Sequence, residues 1–157
     1  MTQPRLFATP QEGTTSDDYY TPKWLFDALG IEFDLDVCCP PEGPPHTPCK
    51  GHYTQEDDGL VQQWHGNVWM NPPFSTNKVW IERFMAHGHG ICLTMMSKSQ
   101  AFRSLWQTAD GIVPLPHDWK FIQPDGVRAD VFMPCVLVAY GAENVEALHR
   151  SNIGRVR

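Results

Sequence analysis

The fold is decided by residues 66–74, which read Gly-Asn-Val-Trp-Met-Asn-Pro-Pro-Phe. Val68, Trp69 and Met70 form a short apolar run, which predicts a buried strand. The two prolines that follow end this strand, because a proline has no N–H to donate to a sheet ladder. A polar amide, two rigid carbonyls and an aromatic ring are therefore expected at the end of a central strand, where open α/β sheets bind their ligands.

The tetrapeptide Asn71-Pro72-Pro73-Phe74 suits one kind of chemistry. An exocyclic amine on a nucleobase is a poor nucleophile, since its lone pair is delocalised into the ring. The side-chain oxygen of Asn71 and the carbonyl of Pro72 can accept its two hydrogens, which favours tetrahedral geometry at the nitrogen. Phe74 offers a flat face for a base taken out of its stack. The alternative is a plain strand-ending turn, because Asn-Pro and Pro-Pro are ordinary turn dipeptides.

Length and composition indicate a single globular domain. The chain has 157 residues, of which 41% are hydrophobic and 19% are charged, and it is long enough to bury a core. The net charge of −6 argues against a sequence-nonspecific nucleic-acid coat protein, which would carry a basic stripe. Residues 1–15 lack the apolar core of a signal peptide, and no run is long enough to span a membrane. The odd number of cysteines, five, favours a reduced cytoplasmic protein.

The hydrophobic pattern divides the chain into three parts. Residues 1–17 are expected to form a flexible arm, residues 18–150 one domain, and residues 151–157 a basic tail. Strands alternate with helices in the domain, which favours a mostly parallel, helix-covered sheet. The predicted strands are 31–39, 52–54, 68–70, 90–96, 112–115, 119–122 and 131–140, and the predicted helices are 22–29, 60–64, 77–87, 100–109 and 143–150.

The ends and inner faces of the helices can also be predicted. Thr21 is expected to cap the first helix, with Pro22 at its first position and Gly30 after its end. The inward-facing residues of the helices at 77–87 and 100–109 are predicted to be Val79, Trp80, Phe84, Met85, Phe102, Leu105 and Trp106. The last strand is expected to be antiparallel, because residues 110–130 are hairpin-like.

Four short motifs follow one another in a fixed order. They are Thr21-Pro22 before a helix, Asp34-Leu35-Asp36 at a strand end, Asp57-Asp58-Gly59-Leu60 in a turn, and Asn71-Pro72-Pro73-Phe74. In this order they resemble the phage-encoded DNA N6-adenine methyltransferase (Dam-type) family, and more distantly the amino-methyltransferases that use S-adenosylmethionine. The resemblance covers roughly residues 18–141.

The resemblance implies a compact, single-domain, Rossmann-like α/β sheet of the S-adenosylmethionine-dependent methyltransferase type, with helices on both faces. It implies methyl transfer from S-adenosylmethionine to the exocyclic amine of an adenine in DNA, either flipped out or in a single strand. The methyl group is already activated on a sulfonium, so no metal is needed and positioning supplies much of the acceleration. Enzymes that methylate protein glutamine or RNA bases carry similar turns, so these acceptors stay open as alternatives.

The resemblance also implies a set of cofactor-binding residues, which are Tyr20, Thr21, Pro22, Asp36, Cys38 and Asp58. Thr21 belongs to the motif that meets the methionine end of the cofactor. Asp36 matches the acidic residue near the cofactor's amino group, and Asp58 matches the one that accepts from its adenine.

Two features depart from the larger methyltransferases. Residues 38–43 read Cys-Cys-Pro-Pro-Glu-Gly in place of a glycine-rich loop. Only about twenty residues separate Asp36 from Asp58, so the second strand, whose acidic residue holds the ribose in larger enzymes, is expected to be missing or reduced. The side chains that remain as substitutes for that residue are His46, His52 and Glu56.

The chain has no room for a separate target-recognition domain, so a short or relaxed sequence preference is expected from loops 97–104 and 117–130. The candidate phosphate contacts are Lys98, Arg103, Lys120 and Arg128; the alternative is that these cations are merely solvated.

The partners and the setting are also expectations. A homodimer would enlarge the DNA-contacting surface of a small acidic chain. The setting that the resemblance implies is a phage or prophage that protects its own DNA from host nucleases in the bacterial cytoplasm.

Two other readings stay open from the sequence. A non-catalytic nucleic-acid or protein-binding module is favoured by the missing glycine-rich loop, and disfavoured by the intact turn at residues 71–74. A zinc site is suggested by the cysteines and histidines of residues 38–52. Adjacent cysteines are awkward for tetrahedral ligation and the usual Cys-x2-Cys pair is absent, so no metal is expected.

Overall fold

The computed structural model describes residues 19–123, 126, 128–129 and 133–157. The described helices are α1 (Lys23–Leu29), α2 (Asn77–His87), α3 (Gln100–Thr108) and α4 (Ala142–Ser151). The described strands are β1 (Phe33–Cys39), β2 (Cys49–Thr54), β3 (Val68–Met70), β4 (Gly90–Met95), β5 (Gly111–Pro114), β6 (Phe121–Ile122), β7 (Arg128–Ala129) and β8 (Cys135–Tyr140). The predicted arm, residues 1–17, and residues 131–132 of the predicted last strand lie outside the described part.

Six of these strands form one mixed sheet in the order β2-β1-β3-β4-β8-β5. Strands β2, β1, β3 and β4 run parallel to one another, and β8 is antiparallel to both β4 and β5. The predicted parallel sheet with an antiparallel last strand is confirmed. Strands β6 and β7 form a separate antiparallel hairpin.

Helices cover both faces of the sheet, as predicted. Alternate residues of a strand point to opposite faces, and in β3 Trp69 joins one core cluster while Val68 and Met70 join the other. Helices α1 and α4 bury Leu25 and Leu148 in the first cluster. Helices α2 and α3 complete the second cluster on the opposite face. The central position of β3 explains its unbroken apolar sequence, since both of its faces are buried.

The expectation that the second strand is missing or reduced is wrong. Strand β2 has six residues and pairs in parallel with β1, with Cys49 opposite Phe33 and Gly51 opposite Leu35. The connection between the two strands, residues 40–48, contains no helix, whereas parallel strands are usually joined through one. Only residues 52–54 of this strand were predicted, because the strand lies at the sheet edge, is at most half-buried, and lacks a hydrophobic pattern.

The first helix ends as predicted but begins differently. Gly30 has a left-handed backbone (φ 66°) and donates its N–H to the Phe26 carbonyl at 2.9 Å, which is a common helix ending. At the other end Pro22 is the N-cap, and no side chain caps the helix. The capping role predicted for Thr21 is therefore wrong, because its hydroxyl contacts a distant side chain described below.

Of the seven predicted inward-facing residues four are buried and Met85 is partly buried, whereas the other two are exposed. Val79 is 46% exposed and Trp106 is 43% exposed, whereas Ile81 of α2 is fully buried. The predicted helix at residues 60–64 is also wrong, because this segment is a turn. A helix of five residues is too short to be stable alone. The turn is instead closed by Trp64, whose Nε1 donates to the Gly59 carbonyl at 2.8 Å.

The C-terminal segment packs along the outer edge of the sheet. Arg157 and Ile112 of β5 exchange two backbone hydrogen bonds, at 2.7 and 2.8 Å, and Val156 packs against the first core cluster. Covering an edge strand in this way removes a site for unwanted strand pairing. No described helix is long and apolar enough to cross a membrane.

The amino end of β3 is held by a pair of amides. Asn67 donates from Nδ2 to Asn144 Oδ1 at 2.9 Å, and Asn144 donates in return to Asn67 Oδ1 at 2.7 Å. Asn144 is fully buried on α4 and also donates to the Tyr140 carbonyl at 2.8 Å. The pair fixes α4 against the start of β3, the strand whose far end carries the Asn-Pro-Pro-Phe turn.

Asn144→Ala should lower the free energy of unfolding by about 2–4 kcal/mol, because it leaves the Asn67 amide and the Tyr140 carbonyl without a buried partner. Urea denaturation measures this change. Glu146→Ala, at an exposed position of the same helix, is the matched control and should change stability by less than about 0.5 kcal/mol. Equal stability of the two variants would contradict the structural role of the amide pair.

Candidate active site

A cavity of about 370 Å³ lies at the carboxyl ends of β1, β2 and β3. Its wall is formed by the ends of these strands, by the loop 40–48, by the turn at 54–59 and by the segment before α1. The volume falls within the range of cofactor and small-molecule sites. The position is the one that the sequence predicts, outside the carboxyl ends of parallel strands.

The cavity brings together much of the predicted site. The predicted residues that line it are Tyr20, Thr21, Asp36, Cys38, Asp58, Asn71 and Pro73. Pro22, Pro72 and Phe74 do not line it, and of the substitutes considered for the ribose position only His46 does. The lining residues that sequence reasoning missed include Tyr19, Thr47, Gln55, Ser75, Thr76 and Trp80. Ser75 and Thr76 could have been found, because they directly follow the Asn-Pro-Pro-Phe turn.

The side-chain amide of Asn71 is held in one orientation. Its Nδ2 donates to Thr21 Oγ1 at 2.9 Å and, over a longer distance of 3.4 Å, to the Tyr19 carbonyl. A backbone carbonyl has no hydrogen to donate, so the amide nitrogen must face it. Among the described residues none donates to Asn71 Oδ1, which keeps its lone pairs for a ligand.

The backbone carbonyls of the turn differ in whether they accept a hydrogen bond. The Asn71 carbonyl accepts from the Cys38 thiol at 3.2 Å, and the Pro73 carbonyl accepts from the Thr76 N–H at 3.3 Å. No described residue donates to the Pro72 carbonyl. Burial raises the pKa of Cys38 well above its usual value, so this thiol is a hydrogen-bond donor and not a nucleophile.

Phe74 does not line the cavity, and its ring packs in an aromatic cluster of Tyr19, Phe74, Trp119 and Phe121. The ring centroids of Phe74 and Phe121 are 5.7 Å apart in an edge-to-face arrangement. Phe121 also contacts Trp119 at 4.2 Å and Tyr19 at 5.6 Å. Phe74 remains half-buried, so a base can rest only on the part of the ring that this cluster leaves exposed.

Asp36 is a buried carboxylate with no basic partner among the described residues. It is 3% exposed and accepts hydrogen bonds from the Cys38 N–H at 3.2 Å and from the Thr47 side chain. Burial raises its pKa to about 6, and the two hydrogen bonds only partly oppose this effect. A cationic group in the cavity would pair with the carboxylate and relieve that penalty.

Asp58 reaches the cavity from a strained turn. Its backbone is left-handed (φ 55°), which is uncommon for a residue other than glycine, and its Oδ1 accepts from the Leu60 N–H at 3.2 Å. A Cβ atom on the adjoining Gly59 would lie 2.0 Å from the Val37 carbonyl oxygen. The turn therefore lies directly against the end of β1, which brings the Asp58 carboxylate to the cavity wall.

Comparison with known families identifies the chain. The sequence model described as "DNA N-6-adenine-methyltransferase (Dam)" matches residues 8–115, well over half of the protein. The chain belongs to this Dam family. The matched span contains every residue that lines the cavity, together with the whole Asn-Pro-Pro-Phe turn. Membership implies DNA as the substrate. No curated protein and no solved structure matches the chain.

The four basic residues considered for DNA contact lie outside the Dam-family cavity. Lys98 and Arg103 are exposed beyond the carboxyl end of β4, and Arg103 adjoins a shallow groove of about 150 Å³. Lys120 directly precedes β6 and Arg128 begins β7, in the hairpin that the aromatic cluster ties to Phe74. Residues 124, 125, 127 and 130 of the second proposed recognition loop lie outside the described part.

The cysteines and histidines of residues 38–52 form no metal site in the described structure. No three His, Cys, Asp or Glu side chains of the described residues are grouped as metal ligands. The five cysteines are free. Burial raises the pKa of Cys39 to about 12 and that of Cys49 to about 11, which disfavours the thiolate form that binds zinc.

Asp36→Asn should stabilise the folded protein at pH 8 by up to about 3 kcal/mol, and should change stability little at pH 4. The carboxyl has a folded-state pKa of about 6 against a model value of 3.8. The protonated carboxyl of Asp36 destabilises nothing below about pH 4. As the pH rises through 6 the buried carboxyl ionises, and the folded protein loses stability that the Asn variant keeps. Urea denaturation at a series of pH values measures the difference between variant and wild type.

Asp34→Asn is the matched control with the opposite sign. The Asn67 N–H lowers the pKa of Asp34, so this carboxylate stabilises the fold above its unfolded pKa, and the variant should be less stable at pH 8. A stability difference between Asp36→Asn and wild type that stays constant from pH 4 to pH 8 would contradict the burial of an unpaired Asp36 carboxylate.

Proposed function

We propose that the chain transfers a methyl group from S-adenosylmethionine to N6 of an adenine in DNA. Membership of the Dam family supports the reaction class. The observation that carries the proposal is the orientation of Asn71, whose Nδ2 is bound by Thr21 and Tyr19. This leaves its oxygen as an acceptor beside a cavity large enough for a cofactor.

The two free acceptors of the turn account for the activation of the adenine amine. Asn71 Oδ1 and the Pro72 carbonyl have no donor among the described residues, and each can accept one hydrogen of an exocyclic amine. Holding both hydrogens turns the nitrogen lone pair out of conjugation with the ring and towards the cavity. S-adenosylmethionine supplies a methyl group that is already activated on a sulfonium. The protein's contribution is orientation, which is worth many orders of magnitude in rate.

The polar side chains of the cavity fit the charged and polar groups of S-adenosylmethionine. The cofactor's amino group is cationic, and Asp36 is a buried carboxylate that lacks a basic partner among the described residues. The cofactor's adenine carries an exocyclic amine, and the Asp58 carboxylate at the cavity wall can accept from it. Thr21 and Tyr20 lie in the same wall, where the methionine end is expected.

The adenine to be methylated has to leave its stack to reach the turn, which costs least in a mismatch or a single strand. The exposed part of the Phe74 ring supports stacking of that base. The exposed Lys98 and Arg103, together with Lys120 and Arg128, are proposed to contact the backbone phosphates. Such contacts fix the position of DNA without reading its sequence, which fits a short or relaxed target. We place this activity in a phage or prophage that protects its own DNA.

Wild-type protein incubated with unmodified DNA and S-adenosylmethionine should produce N6-methyladenine, detected by mass spectrometry of the nucleosides. Asn71→Ala should lower the rate by at least about 100-fold, as expected when one transition-state hydrogen bond is lost. Asn77→Ala, at the start of α2 and outside the cavity wall, is the control and should retain activity.

Near-normal activity of Asn71→Ala would remove the acceptor role of its side chain. Absence of any methylated base with folded wild-type protein would favour the non-catalytic binding module, or a protein glutamine or RNA acceptor.

Asp58→Asn should weaken S-adenosylmethionine binding by about tenfold in calorimetry, because the charged acceptor for the cofactor's adenine is lost. Asparagine tolerates the left-handed backbone of this position, so the turn should keep its shape. Asp57→Asn is the neighbouring control, since Asp57 bonds to Thr54 and does not line the cavity. Unchanged affinity in Asp58→Asn would mean that the adenine of the cofactor is held elsewhere.

A further inference from the structure

We infer that Thr21 is a positioning residue, which holds the Asn71 amide so that its oxygen faces the adenine amine. The inference rests on the proposed function. Thr21 is 6% exposed, lies in the cavity wall, and has no role in capping α1. Its Oγ1 accepts from Asn71 Nδ2 at 2.9 Å, across 50 residues of sequence.

The bond to Thr21 is the stronger of the two that orient the amide. Its length of 2.9 Å is typical of an N–H···O bond, whereas the 3.4 Å contact with the Tyr19 carbonyl is long. Without the Thr21 hydroxyl only the long contact would oppose rotation of the amide. A rotated amide would present N–H groups to an amine whose hydrogens need acceptors. The hydrogen bond from the amine would then be replaced by repulsion between two sets of N–H hydrogens.

The hydroxyl is fixed in space because its segment is fixed. Tyr20 exchanges two backbone hydrogen bonds with Ile122, at 2.7 and 2.9 Å. The Tyr19 ring packs against Phe121, and the Pro22 carbonyl accepts from the Leu25 N–H at 3.2 Å. The segment 19–22 is therefore held on both sides of Thr21. Through its bond to Asn71, Thr21 fixes the side-chain amide at the end of β3.

A contact with the cofactor is the competing role for Thr21. The hydroxyl hydrogen has no acceptor among the described residues, and the side chain lines the cavity, so a carboxylate bound there would accept it. The two roles differ in what they control. A cofactor contact sets the affinity for S-adenosylmethionine, whereas the orientation of Asn71 sets the rate of transfer once both substrates are bound.

Thr21→Val removes the hydroxyl at nearly constant shape, and Thr21→Ser keeps the hydroxyl as the matched control. At saturating S-adenosylmethionine and DNA, kcat of Thr21→Val should fall about 10- to 100-fold, the loss expected for one oriented hydrogen bond. Its Kd for S-adenosylmethionine, measured by calorimetry, should change less than about threefold, and Thr21→Ser should recover most of kcat. A normal kcat in Thr21→Val, or a weakened Kd that accounts for the whole loss, would overturn the positioning role.

A second readout needs no activity. The side-chain amide of Asn71 gives a pair of proton–nitrogen NMR signals, identified by their absence in Asn71→Ala. In Thr21→Val these signals should move and their hydrogens should exchange faster with water, while Thr21→Ser should keep the wild-type signals. Unchanged signals in Thr21→Val would overturn the inference. Because this result does not depend on methyl transfer, it separates failure of the positioning role from failure of the proposed reaction.

Discussion

A side-chain amide can present either a donor or an acceptor to a ligand, and at Asn71 two oxygen atoms make that choice. Thr21 Oγ1 and the Tyr19 carbonyl both take the amide nitrogen, so the amide oxygen is left for the cavity. The same residue is fixed through its backbone by the Cys38 thiol. The acceptor geometry that the proposed reaction requires is thus present before any substrate arrives, which is how preorganised sites lower a barrier.

The cavity is built without a glycine-rich loop. Three parallel strands end at the same edge of the sheet, and the proline-rich connection 40–48 forms one wall where the larger enzymes have glycines. Gly59 supplies a close backbone approach at the cavity, against the Val37 carbonyl, and it sets Asp58 at the rim. Short, closely packed connections between the strands are therefore enough to build a cofactor-sized cavity in this chain.

Local sequence signals predicted the elements that depend on them. The bounds of α2 and β3, and the end of α1 at Gly30, follow from apolar periodicity, proline and glycine. Strand β2 was predicted only at residues 52–54, because a half-exposed edge strand has neither a continuous nor an alternating apolar pattern. Val79 and Trp106 were assigned to the inner faces of their helices from the helical pattern, but both are exposed.

The site was predictable as a set of residues but not as a set of contacts. The family resemblance assigned Asp36, Asp58 and Asn71 to one methyl-transfer site, and all three line the cavity. The bond between Thr21 and Asn71 joins residues far apart in sequence, and a threonine before a helix has a simpler local explanation as a cap. The packing of the Phe74 ring also depends on a distant residue, since Phe121 contacts it edge to face.

The most direct test of the account is a crystal structure of the protein with S-adenosylhomocysteine, the product left after methyl transfer. The ligand is predicted to fill the cavity at the ends of β1, β2 and β3, with its amino group at Asp36, its adenine at Asp58 and its sulfur on the side of the Asn71 oxygen. A ligand bound elsewhere, or a cavity that stays empty at saturating concentration, would contradict a single methyl-transfer site built around Asn71.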